Sequence, residues 1–155
     1  MKAVKRNGNP YNASGGLSQA AALEAACFGS DAWSEQALEQ ALSDKNALYL
    51  SCMEEGRLIA CCGIWQSFED GDITNVAVEE GSRRKGCARR LLLELMRRAK
   101  LCGVENFTLE VRESNLPAVR LYESLGFTVE GIRKNFTGIR LKTLLLCGRD
   151  RQRME

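Results

Sequence analysis

Between Gly71 and Leu101 the chain reads strand, glycine turn, long helix, and that succession narrows the folds open to it more than any other feature. "GDITNVAVEE" (71–80) predicts a strand that begins after the turn signal Asp70-Gly71. From Cys87 to Leu101 the apolar residues Leu91, Leu92, Leu95, Met96 and Ala99 recur at helical spacing, while Arg90, Arg97 and Lys100 fall mostly elsewhere. The join, "SRRKGCARR" (82–90), places Arg83, Arg84, Lys85, Arg89 and Arg90 around one glycine.

The flanking segments extend the pattern. A short strand is expected near residues 2–6, and "NGNPYNASGG" then reads as turn and loop. "LSQAAALEAAC" (17–27) is alanine-rich and predicts a helix. "WSEQALEQALS" (33–43) predicts a second, with Ser34 as N-cap and Glu35 and Glu39 near its start. "ALYLSCME" (47–54) and "RLIACCGIWQ" (57–66) pair as strands across Glu55-Gly56. In "NFTLEVR" (106–112) alternation sends Phe107, Leu109 and Val111 one way, and Thr108, Glu110 and Arg112 the other. Asn115 caps a helix with Pro117 in its first turn, and Gly126 ends it. Strands follow at 127–134 and 140–147. This order predicts a mixed sheet with helices packed on it, in one domain over 1–148, with 149–155 a frayed tail.

Composition excludes several functions. A net charge of +2 gives no basis for general nucleic-acid or membrane affinity, so the basic stretch at 82–90 is a local feature. No apolar run is long enough to span a bilayer, and the N-terminal residues lack the apolar core of a secretory signal. Seven cysteines without a C-x-x-C pair, in a chain with no histidine, argue against a metal site and for reduced thiols in a cytoplasm. Cys61 and Cys62 point to opposite faces of their strand, one expected in the core and one near the surface. Trp33 and Trp65 are read as packing anchors. Without histidine, acid–base chemistry falls to Glu, Asp, Tyr, Cys, Lys or water.

Two readings of the basic turn compete. A helix N-terminus presents unpaired main-chain N–H groups and the positive end of the helix dipole, which suits a phosphate. Gly86 and the small Ala88 allow close approach, and arginine can hydrogen-bond phosphate oxygens in pairs. The alternative is a solvated basic cap. Neither G-x-x-x-x-G-K-[ST] nor G-x-G-x-x-G is present, so the spacing points to a pyrophosphate without naming its carrier.

Arg83-Arg84-Lys85-Gly86-Cys87-Ala88 fits [QR]-x-x-G-x-[GA], and it lies between strand and helix as in the GNAT acetyltransferases, which this chain resembles. "ITNVAV", "LEVRESNLPAVRLYESLGF" and "GIRKNF" are similar to the bacterial ribosomal protein alanine N-acetyltransferases, the RimI type, over Asp72 to Phe136. The resemblance implies a GNAT fold of the α/β (α+β) kind. Its central sheet would be mixed and mostly antiparallel, with helices on both faces and a splay between "ITNVAV" and "TLEVR". It implies acetyl-CoA as cosubstrate, coenzyme A as product, and a protein N-terminal amine as acceptor, the alanine of a ribosomal protein being the foremost case. The cosubstrate's arm would lie along Val76, Ala77 and Val78, and its pyrophosphate against Arg83, Arg84, Lys85, Gly86, Cys87, Ala88 and Arg89. Asn115 would contact coenzyme A as well as cap its helix. Glu110 would accept the amine proton, through water, and Tyr122 would protonate the departing thiolate.

From the residues alone, Glu110 is equally a solvent-facing strand carboxylate, Tyr122 an aromatic at the core edge, and Cys87 a small packing residue. The late segment 135–142 departs from the RimI pattern: Thr137 replaces a second tyrosine, and the usual acidic pair is missing. Acetylation of a small amine or lysine, and a non-catalytic acyl-CoA-binding module, therefore remain alternatives.

Overall fold

The computed structural model describes residues 2–3, 16–132 and 138–144. A seven-stranded sheet runs in the order β1-β2-β3-β4-β5-β7-β6. Its strands are β1 (Lys2–Ala3), β2 (Ala47–Glu54), β3 (Arg57–Ser67), β4 (Asp70–Val78), β5 (Asn106–Arg112), β6 (Thr128–Ile132) and β7 (Gly138–Leu144). Every neighbouring pair is antiparallel except β4–β5. The described residues also form four α-helices: α1 (Gly16–Phe28), α2 (Glu35–Ser43), α3 (Cys87–Leu101) and α4 (Leu116–Ser124). The expected segments at 4–6, 7–15, 133–137 and 145–155 lie outside the described residues.

Helices cover both faces of the sheet. On one face α3 and α4 bury Leu91, Leu92, Leu95, Met96, Tyr122 and Leu125 against Leu50, Cys62, Ile64, Phe107, Leu109 and Leu141. On the other, α1 and α2 bury Ala20, Leu23 and Leu38 against Leu58, Cys61 and Ala77. Burial of these apolar surfaces is the main force holding the layers together. The double cover corrects one expectation: Cys61 and Cys62 do point to opposite faces, yet both are buried, because each face of β3 carries helices. The six described cysteines are all free thiols. Trp33 packs against the α1–α2 cluster as an anchor should. Trp65 differs, lying half-exposed with its indole N–H donated to Asp44 at 3.0 Å.

Local signals set the element ends. The Ser34 hydroxyl accepts from the Ala37 amide at 3.1 Å, and Asn115 Oδ1 accepts from the Ala118 amide at 3.3 Å. Ser34→Ala should therefore lower the unfolding free energy by about 1 kcal/mol in a urea titration. Behind α4, Gly126 at φ +95° lets Phe127 N–H reach the Tyr122 carbonyl and its own N–H reach Glu123, the double bond of a Schellman ending. One turn falls elsewhere than expected. Ser67 pairs with Asp70, so the β3–β4 turn is Phe68-Glu69, with Phe68 at φ +53°, and Asp70-Gly71 already belongs to β4.

Candidate active site

The parallel β4–β5 contact is short, and its end defines the site. The ladder runs from Asp70↔Asn106 to Ile73↔Leu109 and stops there. Two side-chain bonds clamp this closed half, Asn106 to Asp70 at 3.0 Å and Thr108 to Asp72 at 2.9 Å. Beyond it β4 continues through Val78 and β5 through Arg112 without pairing to each other. The strands diverge into the splay expected between "ITNVAV" and "TLEVR".

β4 changes character where it leaves β5. Gly63 faces Asn75 and Ile64 faces Ile73, so Thr74 is the extra residue of a bulge. Past it, the Glu79 N–H donates to the Ile59 carbonyl at 2.8 Å. The alternation of an antiparallel ladder then turns the Ala77 main chain toward Cys61 and the main-chain groups of Val76 and Val78 toward the splay. Of the three strand residues singled out from the sequence, Val76 and Val78 face the open edge, although the Val78 carbonyl there accepts from Arg83 Nε and from the Cys27 thiol. Ala77 serves the α1 side of the core.

The basic turn forms the far end of this edge. Arg84 at φ +63° and Gly86 at φ +77° bend the main chain sharply before α3. Gly86 is the N-cap, no side chain caps the helix, and the first helical bond is Arg90 N–H to the Gly86 carbonyl. The amides of Gly86, Cys87, Ala88 and Arg89 thus lack intrahelical partners, and the dipole adds positive potential. Side chains divide between roles. Arg84 and Lys85 are exposed, whereas Cys87 is buried against the core. Arg89 donates to the Ser124 hydroxyl at 3.0 Å and so ties α3 to α4. Arg83 turns back: its Nε donates to the Val78 carbonyl at 3.1 Å, and Nη2 approaches the Cys27 sulfur at 3.6 Å. Its guanidinium therefore lies on the strand edge, not over the α3 amides.

Glu110 is the first β5 residue past the last β4 pair, and its side chain lies on the face opposite Leu109. There no helix among the described residues covers β5, β7 and β6, which present Thr108, Glu110, Arg112, Arg140, Lys142 and Glu130. Arg140, its partner in the β5–β7 ladder, reaches the Glu110 carboxylate at 3.5 Å and also holds Glu130 at 3.1 Å. Arg112 pairs with Asp31 in the turn between α1 and α2, bridging the step from helix-covered to open sheet. Tyr122 approaches from the other face, packed edge-on against Phe127 with centroids 6.0 Å apart. Burial pushes its phenol up to about 12, with a smaller contribution from Cys62. It is a protonated hydroxyl at neutral pH. The Glu110 carboxylate and the protonated Tyr122 phenol thus lie on opposite faces of the sheet, the first beside the splay and the second in the core under α4.

One residue of the site region gave no sequence signal. Glu24, in the alanine-rich α1, is only 1% exposed and accepts from Asn75 Nδ2 at 2.9 Å. Its pKa is raised, foremost by burial, which outweighs the hydrogen bonds from Asn75 and the Trp33 main chain. Among the described residues no cluster of His, Cys, Asp or Glu is arranged to hold a metal. No helix among them is long and apolar enough to cross a membrane. Arg97 and Arg98 clasp Glu94 at 2.6 and 2.7 Å and hold its carboxyl down to about 2.

A sheet that parts beside a glycine turn and an uncapped helix is the frame of an acyl-CoA-dependent transferase. Residues 18–127 match the model of the Acetyltransferase (GNAT) family, and the chain belongs to that family. It is an acetyl-CoA-dependent N-acetyltransferase. It is 34% identical over 106 residues to the ribosomal protein bS18-alanine N-acetyltransferase of Escherichia coli strain K12, spanning 67% of this chain and 70% of that one. It is 34% identical over 122 residues to the N-alpha-acetyltransferase RimI of Mycobacterium tuberculosis, spanning 75% of each. The crystal structure of the Escherichia coli ribosomal-protein-S18-alanine N-acetyltransferase superposes with a TM-score of 0.78 at 24% identity, covering 96% of both chains. An aminoglycoside 6'-N-acetyltransferase complexed with coenzyme A shares the fold at a TM-score of 0.78 and 13% identity, covering 95% of this chain and 98% of that one.

Proposed function

We propose that the enzyme acetylates the α-amino group of a protein N-terminus, the alanine of a small-subunit ribosomal protein being the foremost candidate. The observation that supports this reading is the parting of β4 from β5 after Ile73↔Leu109, with Glu110 the next β5 residue and Tyr122 in the core on the other face of the sheet. The names of the relatives, the Escherichia coli ribosomal protein bS18-alanine N-acetyltransferase foremost, suggest the acceptor class.

The chemistry follows from charge states. A free α-amino group has a pKa of about 7.7–8.0, so much of it is protonated at neutral pH and cannot attack. Glu110 removes that proton through water on the polar face, where the acceptor enters between Arg112–Asp31 and Arg140. Bound acetyl-CoA supplies the thioester. The N–C bond forms as the C–S bond breaks, and Tyr122 gives its proton to the leaving sulfur. The Val76 main chain, turned into the splay, polarises the acetyl carbonyl. Main-chain amides from Gly86 to Arg89, with Arg84 and Lys85 beside them, hold the pyrophosphate. Arg83 and Arg89 act indirectly, the first on the strand edge and the second on the seating of α3. Asn115 fixes the start of α4, from which Tyr122 projects, and also contacts coenzyme A.

The test is free-thiol release from acetyl-CoA against N-terminal peptides, polyamines, free amino acids and lysine-bearing peptides with blocked termini. Peptides with a free N-terminal alanine should turn over fastest. Activity confined to small amines or lysine would move the acceptor class, and coenzyme A binding with no turnover on any acceptor would make the chain a binding module.

A further inference from the structure

Where β4 leaves β5, the separated strands are held from outside. β5 is tied outward to β7 by Arg140 on Glu110. β4 is tied to α1 by Asn75 on Glu24, and this second tie is buried: Glu24, Tyr49 and Asn75 are 1%, 4% and 7% exposed. The network is continuous. The Trp33 main chain donates to Glu24, Asn75 Nδ2 donates to Glu24 at 2.9 Å, and the Thr74 hydroxyl donates to Asn75 Oδ1 at 3.1 Å. Tyr49 is hydrogen-bonded to Thr74 in turn. Gly63 leaves the room this requires, since a Cβ there would lie 2.2 Å from the Tyr49 ring and 2.8 Å from Asn75 Oδ1. A buried carboxyl is costly unless its partners are in place, so such a network specifies one geometry. The residues it grips are the bulge residue Thr74 and its neighbour Asn75, just before the open edge at Val76.

We propose that Glu24 is a positioning residue for the transfer: through Asn75 it draws β4 toward α1 at the Thr74 bulge, keeps the splay open, and aims the Val76–Val78 edge along which the cosubstrate's arm lies. The inference rests on the cosubstrate placement given above. Glu24 touches neither substrate nor reacting atoms. Its effect passes through one side chain into the main chain, and it does not reach the α3 amides. Arm and pyrophosphate binding should therefore respond differently when the tie is cut.

That separation is the test. Binding of coenzyme A and of 3′-phospho-ADP, which keeps the pyrophosphate but lacks the pantetheine arm, is measured by calorimetry on the full chain. Glu24→Ala and Asn75→Ala should each weaken coenzyme A about tenfold, a change of one decade in Kd, and leave 3′-phospho-ADP within about twofold of wild type. The double variant should be no weaker than the weaker single one, because both cut the same link. Glu24→Gln, which keeps an oxygen for Asn75, should recover most of the affinity. Should Glu24→Ala fail to fold, Asn75→Ala and Glu24→Gln carry the comparison. Unchanged coenzyme A affinity in the folded variants, or parallel loss of both ligands, overturns the proposal. Wild-type protein that binds neither ligand would overturn the cosubstrate placement itself.

Discussion

Glu110→Gln should lower turnover by about 10²–10³, within the range a positioned general base contributes, while coenzyme A affinity stays within about twofold. Glutamine keeps the shape of the side chain and an oxygen for Arg140, so the β5–β7 contact and the fold persist. What is lost is a group able to hold the amine's proton. Coenzyme A affinity is spared because the proposed phosphate contacts lie at Gly86 to Arg89, away from the β5 carboxylate. The deficit should also narrow as the medium is made alkaline. Near about pH 9 the acceptor amine, with a pKa of about 7.7–8.0, is already deprotonated and needs less help. Initial rates of thiol release at saturating acetyl-CoA, taken across that range, measure both effects. A variant that turns over like wild type at neutral pH would remove Glu110 from the mechanism. Tyr122→Phe should lose rate as well, but without that pH dependence, since a phenol held near 12 does not ionise in the range.

Local features were legible in the sequence, and features made by tertiary contact were not. Ser34, Asn115 and Gly126 act on bonds within four residues of themselves, so their roles follow from residue type and position. The α3 stripe of Leu91, Leu92, Leu95, Met96 and Ala99 became core because periodicity and burial are one fact seen twice. The Thr74 bulge has no comparable signal. It exists only in the register of β4 against β3, and it reverses the facing of every β4 residue after it. Glu24 was hidden for a related reason. A glutamate in an alanine-rich helix looks like a solubilising residue until Asn75, distant in sequence, is brought beside it. The Cys61–Cys62 pair and Trp65 mark the same boundary, since how many helices cover a strand face, or whether an indole finds an aspartate, is settled by packing.

Replacing Gly86 by glutamate should cost coenzyme A at least about a hundredfold in affinity, or roughly 2.7 kcal/mol, with only a modest loss of stability. Two effects act on folding and oppose each other. Gly86 sits at φ +77°, where a residue with a Cβ is strained by about 1–2 kcal/mol. A carboxylate at a helix N-terminus returns about 0.3–1 kcal/mol, and a Cβ there meets nothing within 4 Å. Binding has no such offset. The unpaired amides that would take a phosphate oxygen would already face a carboxylate fixed to the same turn, and its charge repels the pyrophosphate. Gly86→Ala separates the terms, because it carries the strain without the charge and should lose only a fewfold in affinity. Arg84→Ala and Lys85→Ala should likewise cost a fewfold each, since both side chains are exposed and their charges are screened by salt. Calorimetric titration of the four variants with coenzyme A ranks main-chain against side-chain recognition. If Gly86→Glu bound coenzyme A as wild type does while Arg84→Ala and Lys85→Ala together abolished binding, the guanidinium and ammonium groups, not the α3 amides, would be what holds the phosphates.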